Sequence, residues 1–393
     1  MWFLVCSKLK KGLTSDEYDL KMIPSYIQFL PTGEETGTYL ALDLGGTNLR
    51  VCQVYLKGKG VIKMKQKKFK ISDEIKKASG THLFDFVADC IKIFLDEYNL
   101  SNDNLKMGFT FSFPVEQKSI GSDTVGTLIL QAYRDAQTRI GVILGTGTNA
   151  AYVENLKNIP KWKGQVPEGG KMIINTEWGA FDNGKKILPI TEYDNLVDSS
   201  SVAPNSQVFE KMVSGMYLGE IVRFILLDLA KKYNLFGGSS FHLLEKKWSF
   251  ETSFLSRIER DHSTDLIDTK TILENFFQIY NTSLTDREYV KEICELVGIR
   301  AARLTLAGIA SILILINRLD GCTVAIDGSV FEHYPHFTSR MRDALLELVG
   351  ISAENIVFEQ VRDGSGQGAA LVAACCDTLK TPFVPKDVHK KEI

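Results

Sequence analysis

Apolar residues along the first half of the chain collect into short runs that stop at glycine pairs. TYLALDLGG is such a run and predicts a strand entering a turn. RVCQVYL continues as a second strand, with Val51, Gln53 and Tyr55 on one side and Cys52, Val54 and Leu56 on the other. VIKMKQKKFKI alternates lysine with apolar residues and predicts a third antiparallel strand, at an edge with one wet face. In residues 81–99, Leu83, Phe84, Val87, Cys90, Ile91, Phe94 and Leu95 recur at helical spacing. LKMGFTFSFPV (105–115) reads as a strand closed by a proline, and TVGTLILQAYRD as a helix that crosses between domains. GVILGTGTNAAYVE (141–154) repeats the first hairpin: apolar run, glycine turn, second strand. This weak internal symmetry predicts two related halves facing a cleft.

The second half is more helical. Residues 207–233 predict one or two long helices, and 286–319 a long helical stretch, either one helix or two joined near Val297 and Gly298. Within it ASILILI (310–316) stops at Asn317 and Arg318, which marks a core helix. CTVAIDGSVFEHYP (322–335) returns to strand, turn and helix start, and residues 355–375 close with strand, glycine turn and helix. Residues 1–33 open with a short amphipathic segment and an extended connector interrupted by Pro24 and Pro31. Alternating strands and helices define an α/β protein.

Charge and cysteine usage narrow the partners. Among 393 residues, 46 basic and 48 acidic side chains nearly cancel, so a nucleic-acid partner is not expected. Seven scattered cysteines without a CxxC pair exclude a zinc site or disulfide framework, and point to the cytoplasm. MWFLVCSKLKKG is too short to span a membrane and lacks the layout of a signal peptide. Monomer and homodimer both suit this length.

The glycine turns carry the chemistry. Glycine lets backbone N–H groups point into a concavity that holds an anion. In ALDLGGTNLR the donors are Gly45 and Gly46, the Thr47 hydroxyl and Asn48, with Arg50 adding charge; in LGTGTNAA they are Gly145, Thr146, Gly147 and Thr148. Either alone is equally well a tight turn; two, each after a buried strand, point to phosphate. A carboxylate beside phosphates is repelled unless a cation intervenes, so Asp43 is expected to orient Mg2+ through water, if it does not simply cap its own turn. Gly328 and Ser329 in DGSVF, and Gly364, Ser365 and Gly366 in DGSGQG, are further turns suited to border the nucleotide. Asp123 is the candidate general base, placed to take a proton from an alcohol as the O–P bond forms; capping its own helix is compatible with that role. Vicinal sugar hydroxyls need both donors and acceptors, for which Ser112, Asn149, Glu177 and Glu210 are candidates.

LPTG, YLALDLGGTNLRV, GFTFSFPVEQ, DTVGTL, GVILGTGTNAAY, INTEWGAFD, FEKMVSGMYLGE, AIDGSVFEHYP and DGSGQGAAL follow one another in order from about residue 20 to 376. In these motifs the chain resembles the eukaryotic hexokinase family, the fungal members most. The resemblance implies a two-lobed actin-like ATPase (ribonuclease H-like) fold with a cleft between lobes. Residues 38–140 would form the small lobe, 141–376 the large lobe, and 1–37 with 377–393 terminal segments packed on the large lobe. It implies ATP, Mg2+ and transfer of the terminal phosphoryl to the 6-hydroxyl of glucose, and also of fructose or mannose, at the head of glycolysis. By motif, Asp123 matches the catalytic base, and Ser112, Asn149, Glu177 and Glu210 the sugar ligands. Asp43, Gly45, Gly46, Thr47 and Asn48 match the first phosphate motif, Thr146 and Gly147 the second, and Gly328, Ser329, Gly364, Ser365 and Gly366 the adenosine side.

One departure stands out. In the family a sugar-contacting Thr-Lys pair, a helix and another strand lie between GFTFSFPVEQ and the catalytic Asp. Here SIG alone separates VEQK from SDT, and Ser122 stands where the family has Asn. Eleven steps from Ser112 to Asp123 suffice for a loop and not for a strand–helix–strand passage. The small lobe is therefore shortened near 118–122, and a catalytically impaired sugar sensor is the alternative to an active kinase. A different actin-like sugar or acetate kinase would explain the glycine turns but not INTEWG and FEKM.

Overall fold

The computed structural model describes residues 2–45, 47–100, 104–111 and 123–378. Among these residues ten strands lie in two sheets: β1 (Ile23–Pro24), β2 (Thr36–Leu44), β3 (Asn48–Lys57), β4 (Ile62–Lys70), β5 (Met107–Phe111), β6 (Thr138–Leu144), β7 (Thr148–Asn155), β8 (Lys171–Asn175), β9 (Cys322–Asp327) and β10 (Ile356–Gln360). The helices are α1 (Trp2–Gly12), α2 (Asp73–Lys77), α3 (Gly80–Glu97), α4 (Asp123–Arg134), α5 (Glu192–Ser200), α6 (Val208–Val213), α7 (Leu218–Tyr233), α8 (Thr252–Glu259), α9 (Ile267–Phe277), α10 (Leu284–Leu315), α11 (Ser329–His333), α12 (Phe337–Val349) and α13 (Gly364–Thr378).

The four-stranded sheet runs β4-β3-β2-β5 and the six-stranded sheet β1-β8-β7-β6-β9-β10. Each is built on the same plan. Three antiparallel strands come first, and the strand at the far side of the glycine hairpin then pairs in parallel, β2 with β5 and β6 with β9. The expected internal symmetry is present down to turns of equal length between β2 and β3 and between β6 and β7. It breaks at one place. The six-stranded sheet continues through α12 to a fifth parallel-plan strand, β10; among the described residues the four-stranded sheet has no counterpart beyond β5.

Each half sends its closing helix across to the other. Helix α4 lies on β6 and β7, whereas α13 lies on β2 and β5, and the two helices pack against each other between the sheets. Glycine makes that contact close: a Cβ built on Gly126 would fall 2.7 Å from the Gly364 carbonyl oxygen, and one on Gly368 2.3 Å from the Gly126 Cα. The seam is otherwise filled by Val125, Leu128, Ile129, Ala369, Ala370 and Leu371. On its other face the four-stranded sheet buries Leu40, Leu42, Leu44, Leu49 and Val51 against α3. Alternation in β3 follows the expected faces, and the lysine-rich β4 is the sheet's edge.

Two helical expectations resolve differently. Residues 207–233 are two helices, parted where the Gly215 N–H donates to the Gly145 carbonyl at 2.8 Å. Residues 284–315 form one helix, not two meeting near Val297 and Gly298. Gly298 is there for room: a Cβ would fall 2.6 Å from the Tyr334 hydroxyl and 2.7 Å from Glu259 Oε1. That helix is long and apolar enough to cross a membrane, with a window of mean hydropathy 1.6, but 78% of the window is buried within the protein, against α1, α7, α8 and α12. It is a core helix.

Candidate active site

The first turn is closed by the Gly45 N–H donating to the Asn48 carbonyl at 3.0 Å, and the Thr47 carbonyl accepts from Ile71 N–H at 2.9 Å. Gly46 lies outside the described residues. Asp43, 5% exposed, lies in the buried part of β2, one residue before its end. Its Oδ2 accepts from Arg50 Nε at 2.8 Å, from Arg50 Nη2 and from the Ser365 hydroxyl at 2.8 Å. Arg50 Nη1 reaches Asp363 Oδ1 at 2.6 Å, and its Nη2 also donates to Ser365 Oγ at 2.9 Å. Arg50, expected to add charge at the phosphates, has its guanidinium shared by two carboxylates. This network ties the first hairpin to the N-terminus of α13.

The second turn mirrors the first. Gly145 N–H donates to the Gly147 carbonyl at 3.0 Å, and the Thr146 carbonyl accepts from Met216 N–H at 3.1 Å. Gly328 lies beside it, since a Cβ on Gly145 would sit 3.6 Å from the Gly328 Cα and 3.6 Å from the Ser329 nitrogen. Gly328 has φ +127°, and a side chain there would collide with the Leu144 carbonyl at 2.4 Å, so only glycine serves. Gly364 N–H donates to Asp327 Oδ2 at 3.1 Å, which joins the third and fourth turns. Burial, with Asp363 nearby, raises the Asp327 carboxyl above the usual range. Gly366 faces β3, with room for a Cβ at 3.6 Å from Cys52 Sγ.

Three of the four predicted sugar ligands converge beside the second turn. Asn149 Nδ2 donates to Glu177 Oε1 at 3.0 Å and to Asn175 Oδ1 at 2.7 Å; Asn175 Nδ2 donates to the same Glu177 oxygen at 2.7 Å. Glu210 Oε2 accepts from Thr148 N–H at 2.9 Å. Burial raises the Glu210 carboxyl above its ordinary value, with the Glu177 charge acting in the same direction and the Thr148 N–H opposing. Glu177 sits in the left-handed region at φ +54°, which turns its carboxylate back toward Asn149 and Asn175. Such strain at a polar cluster is a mark of function. Ser112 and Ser122 lie outside the described residues.

Asp123 is the first residue of α4. The helix is fixed on both sides. Thr124 is pressed against β6, where a Cβ on Gly141 would meet its carbonyl at 2.6 Å, and Gly126 against Gly364 and Ser365. Asp123 thus stands at the junction of the two sheets, one turn from the N-terminus of α13 and its link to Asp43.

Sequence reasoning missed Asn175, Asp327 and Asp363. Asn175 was legible as the polar residue that ends an apolar strand two positions before Glu177. Each of the two aspartates precedes the glycine of a predicted turn. Among the described residues no cluster of three or more His, Cys, Asp or Glu side chains could cage a metal. Among the described residues Asp43 Oδ1, by contrast, meets the Thr110 hydroxyl alone, at 3.4 Å, and keeps capacity for a hydrated ion. The donor set fits a hard cation that arrives on phosphates with its waters, not a resident one.

Comparison with known proteins agrees with this geometry. A family model described as hexokinase matches residues 139–375, and a second with the same description matches residues 4–129. Hexokinase-1 of Schizosaccharomyces pombe is 39% identical over 414 aligned residues, covering 94% of this chain and 85% of the relative. Hexokinase-1 of Saccharomyces cerevisiae is 37% identical over 420, covering 93% and 86%. A Schistosoma mansoni hexokinase solved in complex with glucose superposes with a TM-score of 0.85 at 34% identity, covering 95% of each chain. Since 94% of this chain is about 369 residues, roughly 45 of the positions aligned with the Schizosaccharomyces protein have no residue here. That is ample for the helix and strand by which the four-stranded sheet falls short of its counterpart. The fold is the two-lobed α/β fold of the hexokinases, and the chain belongs to the hexokinase family.

Proposed function

We propose that the chain transfers the terminal phosphoryl group of ATP to the 6-hydroxyl of a hexose, glucose first, with Asp123 as general base. The observation that carries this reading is the convergence of Asn149, Asn175, Glu177 and Glu210 on one side of a glycine turn. Two carboxylates and two amides supply the acceptors and donors that adjacent sugar hydroxyls require. The second turn and the adjoining Gly328–Ser329 corner hold the nucleotide's phosphates through backbone N–H groups, and Gly364–Gly366 border its adenosine. Asp43 would hold Mg2+ through water, and the ion would supply charge neutralisation at the phosphates.

In the reaction O6 of the sugar bonds to the γ-phosphorus, the bond from that phosphorus to the β,γ-bridging oxygen breaks, and ADP leaves with the electron pair. The O6 proton passes to the Asp123 carboxylate as the bond forms. Asn149, Glu177 and Glu210 hold the ring so that O6 is the oxygen presented. Seven free thiols and no disulfide support a cytoplasmic setting.

The test is product formation. Purified chain incubated with glucose, ATP and Mg2+ is expected to yield glucose 6-phosphate and ADP in equal amounts. Glucose binding measured by calorimetry without any turnover would replace this reading with that of a sugar sensor.

A further inference from the structure

Helix α6 carries Glu210 and has only six residues, too few to hold a place by itself. It starts after Gln207, which sits at φ +53° and supplies no side-chain cap, and Asn205 just before it is also in the left-handed region, at φ +61°. Glu210 nevertheless has little room. A Cβ built on Gly147 would meet its Oε2 at 2.7 Å, and one on Gly179 would meet its Cβ at 3.3 Å. A small shift of α6 therefore changes where the carboxylate lies between the second turn and the segment that carries Glu177.

One buried carboxylate grips both the helix and its approach. Asp198, in the last turn of α5, is buried, and so is Lys211, the residue after Glu210. Lys211 Nζ donates to Asp198 Oδ1 at 2.6 Å and to the Ala203 carbonyl at 2.6 Å. The Asn205 N–H donates to the two Asp198 oxygens at 3.0 and 3.1 Å, and Lys185 Nζ donates to Oδ2 at 2.7 Å. Asp198 thus holds α6 through Lys211, and holds the segment 201–207 that leads into it through Asn205. Burial would raise the Asp198 carboxyl, but the hydrogen bonds from Lys185, Lys211 and the Asn205 N–H outweigh it and bring the group below its ordinary range, so it is ionised where it is buried.

A buried ion pair adds little net stability over an apolar pair of the same shape, because desolvation takes back most of the attraction. Val208, Phe209, Met212 and Val213 already bury α6 without it. What the pair supplies is a fixed geometry. We propose that Asp198 is a positioning residue for the hexose: through Lys211 and Asn205 it fixes α6, and with α6 the place of Glu210. The proposal rests on the reading that Glu210 binds the sugar.

Calorimetric Kd values of the full chain for glucose, and for ATP with Mg2+, test it together with steady-state kinetics. Asp198→Asn alone leaves Lys211 buried without a counter-charge and can unfold the chain. The deciding variant is therefore Asp198→Asn with Lys211→Met, which removes both charges at nearly constant shape; Lys185, 25% exposed, keeps Asn195 as a partner. Its urea midpoint is expected at or above the parent's, its glucose Kd and KM about tenfold higher, its ATP Kd unchanged, and its kcat at saturating glucose lower by less than about threefold. A stable double variant with the parent's glucose Kd, equal losses for glucose and ATP, or a double variant that does not fold would each overturn this inference alone. A native chain that binds ATP and no glucose would overturn the sugar-site reading and this inference together.

Discussion

Gly126→Ala probes whether the seam between the two crossing helices sets the position of Asp123. The new methyl group would lie 2.7 Å from the Gly364 carbonyl oxygen and 3.2 Å from the Ser365 Cα. Ordinary contact is roughly 0.7 Å longer, and both atoms belong to backbone, so the neighbour cannot rotate away. Two terms then oppose each other. Alanine favours a helix interior over glycine by about 1 kcal/mol. Overpacking a close contact costs about 1–3 kcal/mol. The balance is a modest destabilisation, about 0–2 kcal/mol, read as a lower urea midpoint. Activity should suffer more than stability. Asp123 is one turn away, and relief of the clash moves α4 from α13 by a good fraction of an ångström; a displacement of about 1 Å costs about a hundredfold in rate. Steady-state kinetics with a coupled glucose 6-phosphate assay should show kcat down about ten- to a hundredfold. A variant that is more stable than the parent and keeps its kcat would refute the claim that this contact positions the base.

Glu210→Gln separates stability from function. Burial raises the Glu210 carboxyl, so folding favours its protonated form. That contribution is full below the ordinary glutamate value and is lost as pH rises through the raised one. The variant should therefore melt higher than the parent at neutral pH, the gap closing toward pH 4, while glucose binding weakens by about 1.5–3 kcal/mol; a lower melting temperature at pH 7 would contradict the sign. Asn175→Ala removes the amide that braces Asn149 and Glu177, and should raise the glucose KM about tenfold while leaving the ATP KM unchanged. An effect on the ATP KM of equal size would remove Asn175 from the sugar side.

Much of the fold could be read from the chain because its periods are clean. Both glycine hairpins, the lysine-rich edge strand and the helix over 80–97 rest on alternation of two or on helical spacing, which are local signals. Contacts between distant segments left no such trace. Arg50 meets Asp363 across 313 residues, and no local pattern warns that its charge is already taken. The exchange of α4 and α13 between sheets is equally invisible, although the small residues Gly126 and Gly368 mark where the helices touch. Gly298 left one helix or two open in the ordinary way: glycine in a helical stretch signals a break, and here it makes space for Tyr334 and Glu259. Asn175 was within reach, being part of the same polar strand end as Glu177. The short link before Asp123 was legible as a count of residues, and among the described residues the four-stranded sheet has no counterpart to β10, which gives that count its physical meaning.

The central claim is that one carboxylate, at the start of α4, collects the sugar's proton. Its most direct measurement compares the native chain with Asp123→Asn, pairing kcat for glucose 6-phosphate formation with calorimetric Kd values for glucose and ATP. The account predicts turnover by the native chain, a fall in kcat of about 10²–10⁴-fold in the variant, and Kd values that barely move. A folded native chain that binds both substrates and makes no product, or a variant that turns over as fast as the parent, would contradict it.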